Sequence, residues 1–148
     1  MARKYRLGVT RKAANVVVNA LLERGIPITG GTGYLLTTRG RRTGVDRTTP
    51  VNVLEVGGDR WLVSPYGQVG WVHNLRAGAT ARLRRGRTRE TWVVEEADAA
   101  TAGPVLRAYV RKIPVTAPFF DAKLGDAAEA FAAEADRHPV FRLARSGA

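Results

Sequence analysis

YLLTTRGRRTGVDRTTPVNVLEV, residues 34–56, sets two apolar β-type runs either side of a loop that carries Arg39, Arg41, Arg42 and Arg47 together with Gly40 and Gly44. Alternating apolar and polar residues mark half-buried strands, and glycines mark the turn between them. Runs of the same kind follow at RWLVS (60–64), ATARLRR (79–85) and TRETWVVEE (88–96), with Gly57-Gly58 and Arg85-Gly86 as turns. Runs of this length and spacing predict an antiparallel barrel or sandwich over residues 33–97.

Helical signals surround this core. Residues 11–24 read as an amphipathic helix with Thr10 as N-cap and Gly25 as stop, followed by the breaking stretch IPITGGTG. GQVGWVHNLRAG (67–78) has the length and closing glycine of one short helix inserted between strands. DAATAGPVLRAYVRKI (98–113) reads as a helix capped by Asp98, with Pro104 tolerable only near its first turn. PVTAPFF (114–120) reads as extended, and DAAEAFAAEADRH (126–138) as a last helix before Pro139. The order expected is a single domain, 1–148: an N-terminal helix and link over 1–30, the barrel over 33–97, and a helical segment over 98–148. A chain of 148 residues has the usual size of one domain with one core.

The charge is unusual. The chain has 24 basic and 13 acidic side chains, a net charge of +11, and its only lysines are Lys4, Lys12, Lys112 and Lys123. Guanidinium groups fork onto phosphate or carboxylate with two bonds, so arginine clusters fit anion recognition; the arginine bias of a GC-rich genome accounts for the total equally well. Cysteine is absent, which removes disulfides, thiolate metal sites and a cysteine nucleophile. The basic start has an apolar stretch broken by Asn15 and Asn19, unlike a signal peptide or spanning helix, and the chain reads as cytoplasmic. Its basic helix, with Arg3, Lys4, Arg6, Arg11 and Lys12, suits peripheral contact with an anionic membrane or, equally, packing over the barrel as a pocket wall.

Reactive side chains are scarce. His73 and His138 lie far apart without a carboxylate cluster at ligand spacing, so no metal site is expected. The only serines, Ser64 and Ser146, sit in no nucleophile elbow. An enzyme built from this chain draws its reactive atom from a cofactor. The loop after Arg39 can cradle a phosphate, or it is a solvated basic hairpin turn. It is neither a Walker loop nor a dinucleotide fingerprint, because a strand follows. Trp71 and Asn74 share one helix face and suit a flat heterocycle, or serve as a core anchor and a helix-end bond maker. The arginines Arg82, Arg84, Arg85, Arg87 and Arg89 raise a nucleic-acid reading, against which the strands offer no aromatic platform and Trp92 reads as core.

The order GRRTGVDRTTPV, EVGGDRWLVSPYG, WVHNLRAG resembles the deazaflavin-dependent nitroreductase family, also described as coenzyme F-420-dependent quinone reductases, of the flavin-reductase-like split β-barrels. The resemblance covers residues 34–96 and extends loosely over the flanking helices. It implies a mainly β, α+β fold: an antiparallel Greek-key split β-barrel of the FMN-binding kind. It also implies hydride transfer from reduced coenzyme F-420, an 8-hydroxy-5-deazaflavin, to an electron-poor quinone, enone or nitro compound. FMN is the alternative coenzyme of the same barrel class.

Carried over by motif, the coenzyme's phosphate and glutamate tail fall to Gly40, Arg41, Arg42, Thr43, Gly44, Arg47, Thr49 and Pro50. Val63, Ser64, Pro65 and Tyr66 border the ring, and Trp71, Val72 and Asn74 contact the coenzyme from the short helix. No side chain is assigned a catalytic role. Some members have a basic residue and a serine where this chain has Tyr66 and Pro65. The acceptor-pocket tyrosines of several members have Phe119 and Phe120 as nearest matches, with Tyr109 a helix earlier, so the acceptor pocket implied is Tyr66, Tyr109, Phe119 and Phe120.

Overall fold

The computed structural model describes residues 32–146, so the helix expected over 11–24 lies outside the described residues. Six strands form a closed antiparallel barrel: β1 (Gly33–Arg39), β2 (Asp46–Val56), β3 (Asp59–Val63), β4 (Thr80–Arg85), β5 (Thr88–Glu96) and β6 (Val140–Ser146), in the order β1-β2-β3-β6-β5-β4. Among the described residues three α-helices accompany them: α1 (Gly70–Gly78) between β3 and β4, then α2 (Ala99–Lys112) and the short α3 (Ala128–Ala132) between β5 and β6.

The period-2 pattern sorts the strand side chains onto two faces. Leu36 pairs with Leu83, Val53 with Leu62 and Leu62 with Phe141, so these project to one side. With Tyr34, Val51, Ala81, Val94 and Leu143 they form one buried cluster fed by all six strands, which only the barrel interior allows. Val72 and Leu75 of α1 close its upper end. The alternate residues Leu54, Trp61, Val63 and Val140 face outward and bury against Val105, Leu106, Tyr109 and Val110 of α2. At the lower end Arg60 lies 5.2 Å from the Trp92 ring and Arg85 lies 4.3 Å from the Tyr34 ring. Glu90 accepts from Arg60 and from Trp92 Nε1. Burial opposes the Glu90 charge, but these bonds and the nearby guanidinium of Arg85 outweigh it and hold the carboxyl below its usual range.

Turn chemistry matches expectation at β2–β3, where Gly57 (φ 64°) and Gly58 (φ 85°) both adopt the left-handed backbone that a tight hairpin needs. Asp98 caps α2 through its bond from Thr101 N (2.9 Å). Pro104 lies in the second turn rather than the first; the carbonyl of Ala100 that it leaves without a donor is at an exposed position, where water can serve it.

The segment after residue 97 departs from the expectation in three respects. Residues 114–119 form a 3-10 helix rather than an extended link, and 126–138 reduce to α3 and the 3-10 turn Ala135–Arg137. The third difference is β6, which sits between β3 and β5 and completes the barrel. Arginines interrupt its apolar alternation, and Arg142 is held by Glu95 at 2.9 Å and Asp59 at 3.8 Å on the neighbouring strands. Those partners exist only once the barrel closes.

Candidate functional site

The β1–β2 loop is a shaped backbone turn. Gly40 N donates to Val45 O and Gly44 N to Gly40 O, both at 2.9 Å. A side chain on Gly40 would place Cβ 2.7 Å from Val45 O, and Gly44 has φ +73°, so both positions require glycine. Asn74 fixes this turn from α1: its Oδ1 accepts from Arg41 N (3.2 Å) and Arg41 Nη1 (3.0 Å), while its Nδ2 donates to Thr38 Oγ1 (3.1 Å) on β1. The buried amide is engaged at both its oxygen and its nitrogen, with the loop hung on one side and the barrel on the other. Arg42 and Arg47 are exposed, and neither side chain has an ion pair or hydrogen bond among the described residues.

Loop and barrel together border a cavity of about 700 Å³. Its second wall is the turn after β3, where Ser64 Oγ donates to Gly67 O (2.6 Å), which commits the hydroxyl to the turn. Tyr66 stands edge-on to Phe119 with ring centroids 4.9 Å apart. Val69, Gly70 and Trp71 continue this wall onto α1. The far end is formed by Asn52, Tyr109, Ile113, Val115 and Thr116. There Thr32 Oγ1 donates to Asn52 Oδ1 (2.9 Å), and Asn52 Nδ2 donates to the Tyr109 hydroxyl (3.3 Å). Burial pushes the Tyr109 phenol well above its usual pKa; the bond from Asn52 lowers it and Tyr66 adds to the rise. Tyr109 is therefore a neutral hydroxyl at any physiological pH.

Of the residues expected to meet a coenzyme, Gly40, Arg41, Arg42, Thr43, Arg47, Thr49, Pro50, Val63, Ser64, Pro65, Tyr66, Trp71 and Asn74 line this cavity. Gly44 and Val72 are not among its lining residues. Val72 is fully buried in the barrel core, because the α1 face opposite the cavity must seal the barrel. Of the expected acceptor-pocket residues, Tyr66 and Tyr109 line the cavity and Phe119 and Phe120 do not. Phe120 is a core residue, stacked on His138 at 3.9 Å and packed against Phe131 at 6.1 Å; Phe119 supports Tyr66 from behind. The same 3-10 helix instead presents Val115 and Thr116 to the cavity.

Sequence reading missed Gly33, Val51, Asn52, Val69, Gly70, Ile113, Val115 and Thr116. Asn52 left one signal, a polar residue in the outward row Pro50, Asn52, Leu54 whose last member is buried under α2. Among the described residues no group of His, Asp and Glu could hold a metal ion. Among them, too, no helix is long and apolar enough to cross a membrane. Three arginines of the β4–β5 hairpin have internal partners: Arg82 with Asp46 (2.8 Å), Arg84 Nε with Gly86 O (3.3 Å), and Arg85 with the Tyr34 hydroxyl (3.2 Å).

A family model described as F-420H(2)-dependent quinone reductase matches residues 8–118. No curated protein matches the chain. Among solved structures, a NimC/NimA family protein from Clostridium acetobutylicum is similar at 15% identity and TM-score 0.55, over 91% of this chain and 82% of that one. A structure of an F-420-H2 dependent reductase is similar at 19% identity and TM-score 0.54, over 76% of this chain and 94% of that one. Another, described as an F-420 reductase, has 12% identity and TM-score 0.53, over 88% and 93% respectively. At these identities the likeness is one of fold, the flavin-reductase-like split barrel with flanking helices.

Proposed function

The chain belongs to the F-420H(2)-dependent quinone reductase family, and on that premise we propose that it passes a hydride to an apolar, electron-poor acceptor, a quinone or enone in preference to a nitro compound, inside the 700 Å³ cavity. It is an oxidoreductase that uses coenzyme F-420. The observation that carries the finer reading is the polarity of the cavity. Among the described residues, one end has two exposed guanidinium groups without partners beside a glycine turn, and the other has only neutral aliphatic, hydroxyl, amide and aromatic groups.

This lining fits the coenzyme. Arg42 and Arg47 would take its phosphate and carboxylates with paired charge-assisted bonds. The glycine turn allows close approach of backbone to an anion. Val63, Pro65, Tyr66 and Trp71 supply a flat, weakly polar wall for a ring system. When bound, the coenzyme supplies the hydride, which leaves the chain to align two planar molecules and exclude water.

Among the described residues no lining residue carries a charge at the far end, and Tyr109 stays protonated, so that end favours a neutral acceptor with an oxygen able to accept from a hydroxyl or amide. The proposed roles of Arg42 and Arg47 in coenzyme binding, and of Tyr66 and Tyr109 in acceptor binding, rest on this match of chemistry. A fluorescence titration with coenzyme F-420, run beside FMN, tests the coenzyme roles; reoxidation of the reduced coenzyme by menadione and by a nitroaromatic tests the acceptor. Binding of F-420 alone with faster turnover of menadione is the expected result. Preference for FMN, or for the nitroaromatic, would overturn the corresponding half.

A further inference from the structure

We propose that Glu134 and His138, remote in sequence from every loop that shapes the cavity, are positioning residues that hold its Tyr66 wall in place. This rests on the reading above, in which that wall borders the coenzyme ring. Both residues are almost wholly buried, at 2% and 3% exposure. A buried carboxylate and imidazole are expensive, and apolar replacements of similar shape are often as stable, so what they hold is the informative feature.

What they hold is the turn from both sides. One edge of His138 meets the wall directly, with Nδ1 3.0 Å from Pro65 O. A carbonyl has no proton to offer, so Nδ1 carries one and donates. The other edge, Nε2, lies 2.8 Å from Glu134 Oε1, where one shared proton makes the bond. Whichever atom bears that proton, the pair is neutral overall, as its burial favours. Glu134 also accepts from Asp121 N (3.0 Å) and Ala122 N (2.8 Å), which pins the chain just beyond Phe119 and Phe120. Phe120 stacks on the imidazole, and Phe119 stands against the Tyr66 ring.

One carboxylate thus fixes Pro65 through His138, and Tyr66 through the Phe119–Ala122 segment. Two neighbouring ties reinforce the dock: Ser64 N donates to Pro139 O (2.9 Å), and Gln68 Nε2 to Asp136 O (2.8 Å). Arg137 lies 3.9 Å from Glu134 Oε1 at the rim. A displaced wall misaligns donor and acceptor without touching the arginine end, so the loss falls on kcat rather than on coenzyme affinity.

Two substitutions at one position separate this role from bulk stability. In H138N the shorter amide puts its NH2 where Nδ1 sits and keeps the bond to Pro65. In H138Q the longer amide reaches Glu134 and leaves Pro65 untied. With menadione as acceptor, H138Q is expected to lose about tenfold or more in kcat and H138N to stay within about threefold. Coenzyme Kd should change less than about threefold in both, although both lose stability to urea. Equal kcat in the two, or a kcat that simply follows urea stability, overturns the proposal.

E134Q provides a second check, because an amide that donates to the ring still accepts from Ala122 but sets its NH2 against Asp121 N, which releases one of the two bonds behind Phe119. Its kcat should fall by about threefold or more while coenzyme Kd changes less than about threefold, and an unchanged kcat would overturn the role. Amide hydrogen exchange at Ser64 and Gly67 tests the clamp without coenzyme. Faster exchange in H138Q than in H138N supports it even if the parent protein binds no F-420, and equal exchange overturns it.

Discussion

Asn74 shows how much one buried amide can organise. Three of its four hydrogen-bonding capacities are spent on Arg41 and Thr38, so the arginine turn is hung from α1 rather than left to find its own shape. Replacing it with leucine strands Arg41 N and Thr38 Oγ1, which costs about 1–3 kcal/mol per unsatisfied buried group. N74L should therefore lower urea stability and weaken coenzyme binding together. R42A should separate the two effects. The guanidinium is exposed and has no partner among the described residues, so stability should hold while coenzyme affinity falls by about 1.5–3 kcal/mol per charge-assisted bond lost, roughly tenfold to a hundredfold in Kd by titration. Unchanged affinity would make the loop a mere turn. The arginines and glycines were legible because their chemistry is local. Asn74 read equally well as a helix-end residue, because its partners lie 33 and 36 positions away.

The outer elements derive their meaning from packing. α2 lies so close to α3 that a Cβ on Gly103 would fall 2.7 Å from Ala128 O and 2.9 Å from Ala132 Cβ. G103A should therefore cost about 1–3 kcal/mol by overpacking, despite the better helix propensity of alanine. Denaturant unfolding checks this, and a stabilised variant would mean that the helices part freely. Phe120 was expected at the acceptor site, but it is core, between Phe131 and His138. F120A should cost about 3–5 kcal/mol of stability, read by the same unfolding. Its effect on turnover should come through the Tyr66 wall it supports, not through lost acceptor contact. The sequence could not distinguish these roles. An aromatic pair after two prolines has no periodicity to say which ring turns inward, and the 3-10 helix Pro114–Phe119 sends Val115 and Thr116 to the cavity instead.

At the scale of the molecule, one barrel carries a cavity on its shoulder, and the groups at the cavity's far end couple it to stability. Tyr109 is ionised less readily when folded than when unfolded, where its pKa is about 10. Its contribution is thus complete below about pH 10 and is lost as pH rises towards the elevated folded value. Alkaline unfolding should accompany release of one slow phenolate absorbance among the four tyrosines. Y109F should move the alkaline midpoint upward, and an unmoved midpoint would place the phenol in contact with solvent. By itself the sequence determined the strand runs from Tyr34 to Glu96, the α1 insertion, the Asp98 cap and the anion-suited chemistry of the arginine loop. Each of these is written in neighbours two to four residues apart, where alternation, capping and turn preference act. Tertiary structure alone decided that β6 closes the barrel, that Asn52 meets Tyr109 across 57 residues and that His138 reaches Pro65 across 73. Those pairings are set by which surfaces must be buried once six strands close on one core, and no local propensity records that requirement.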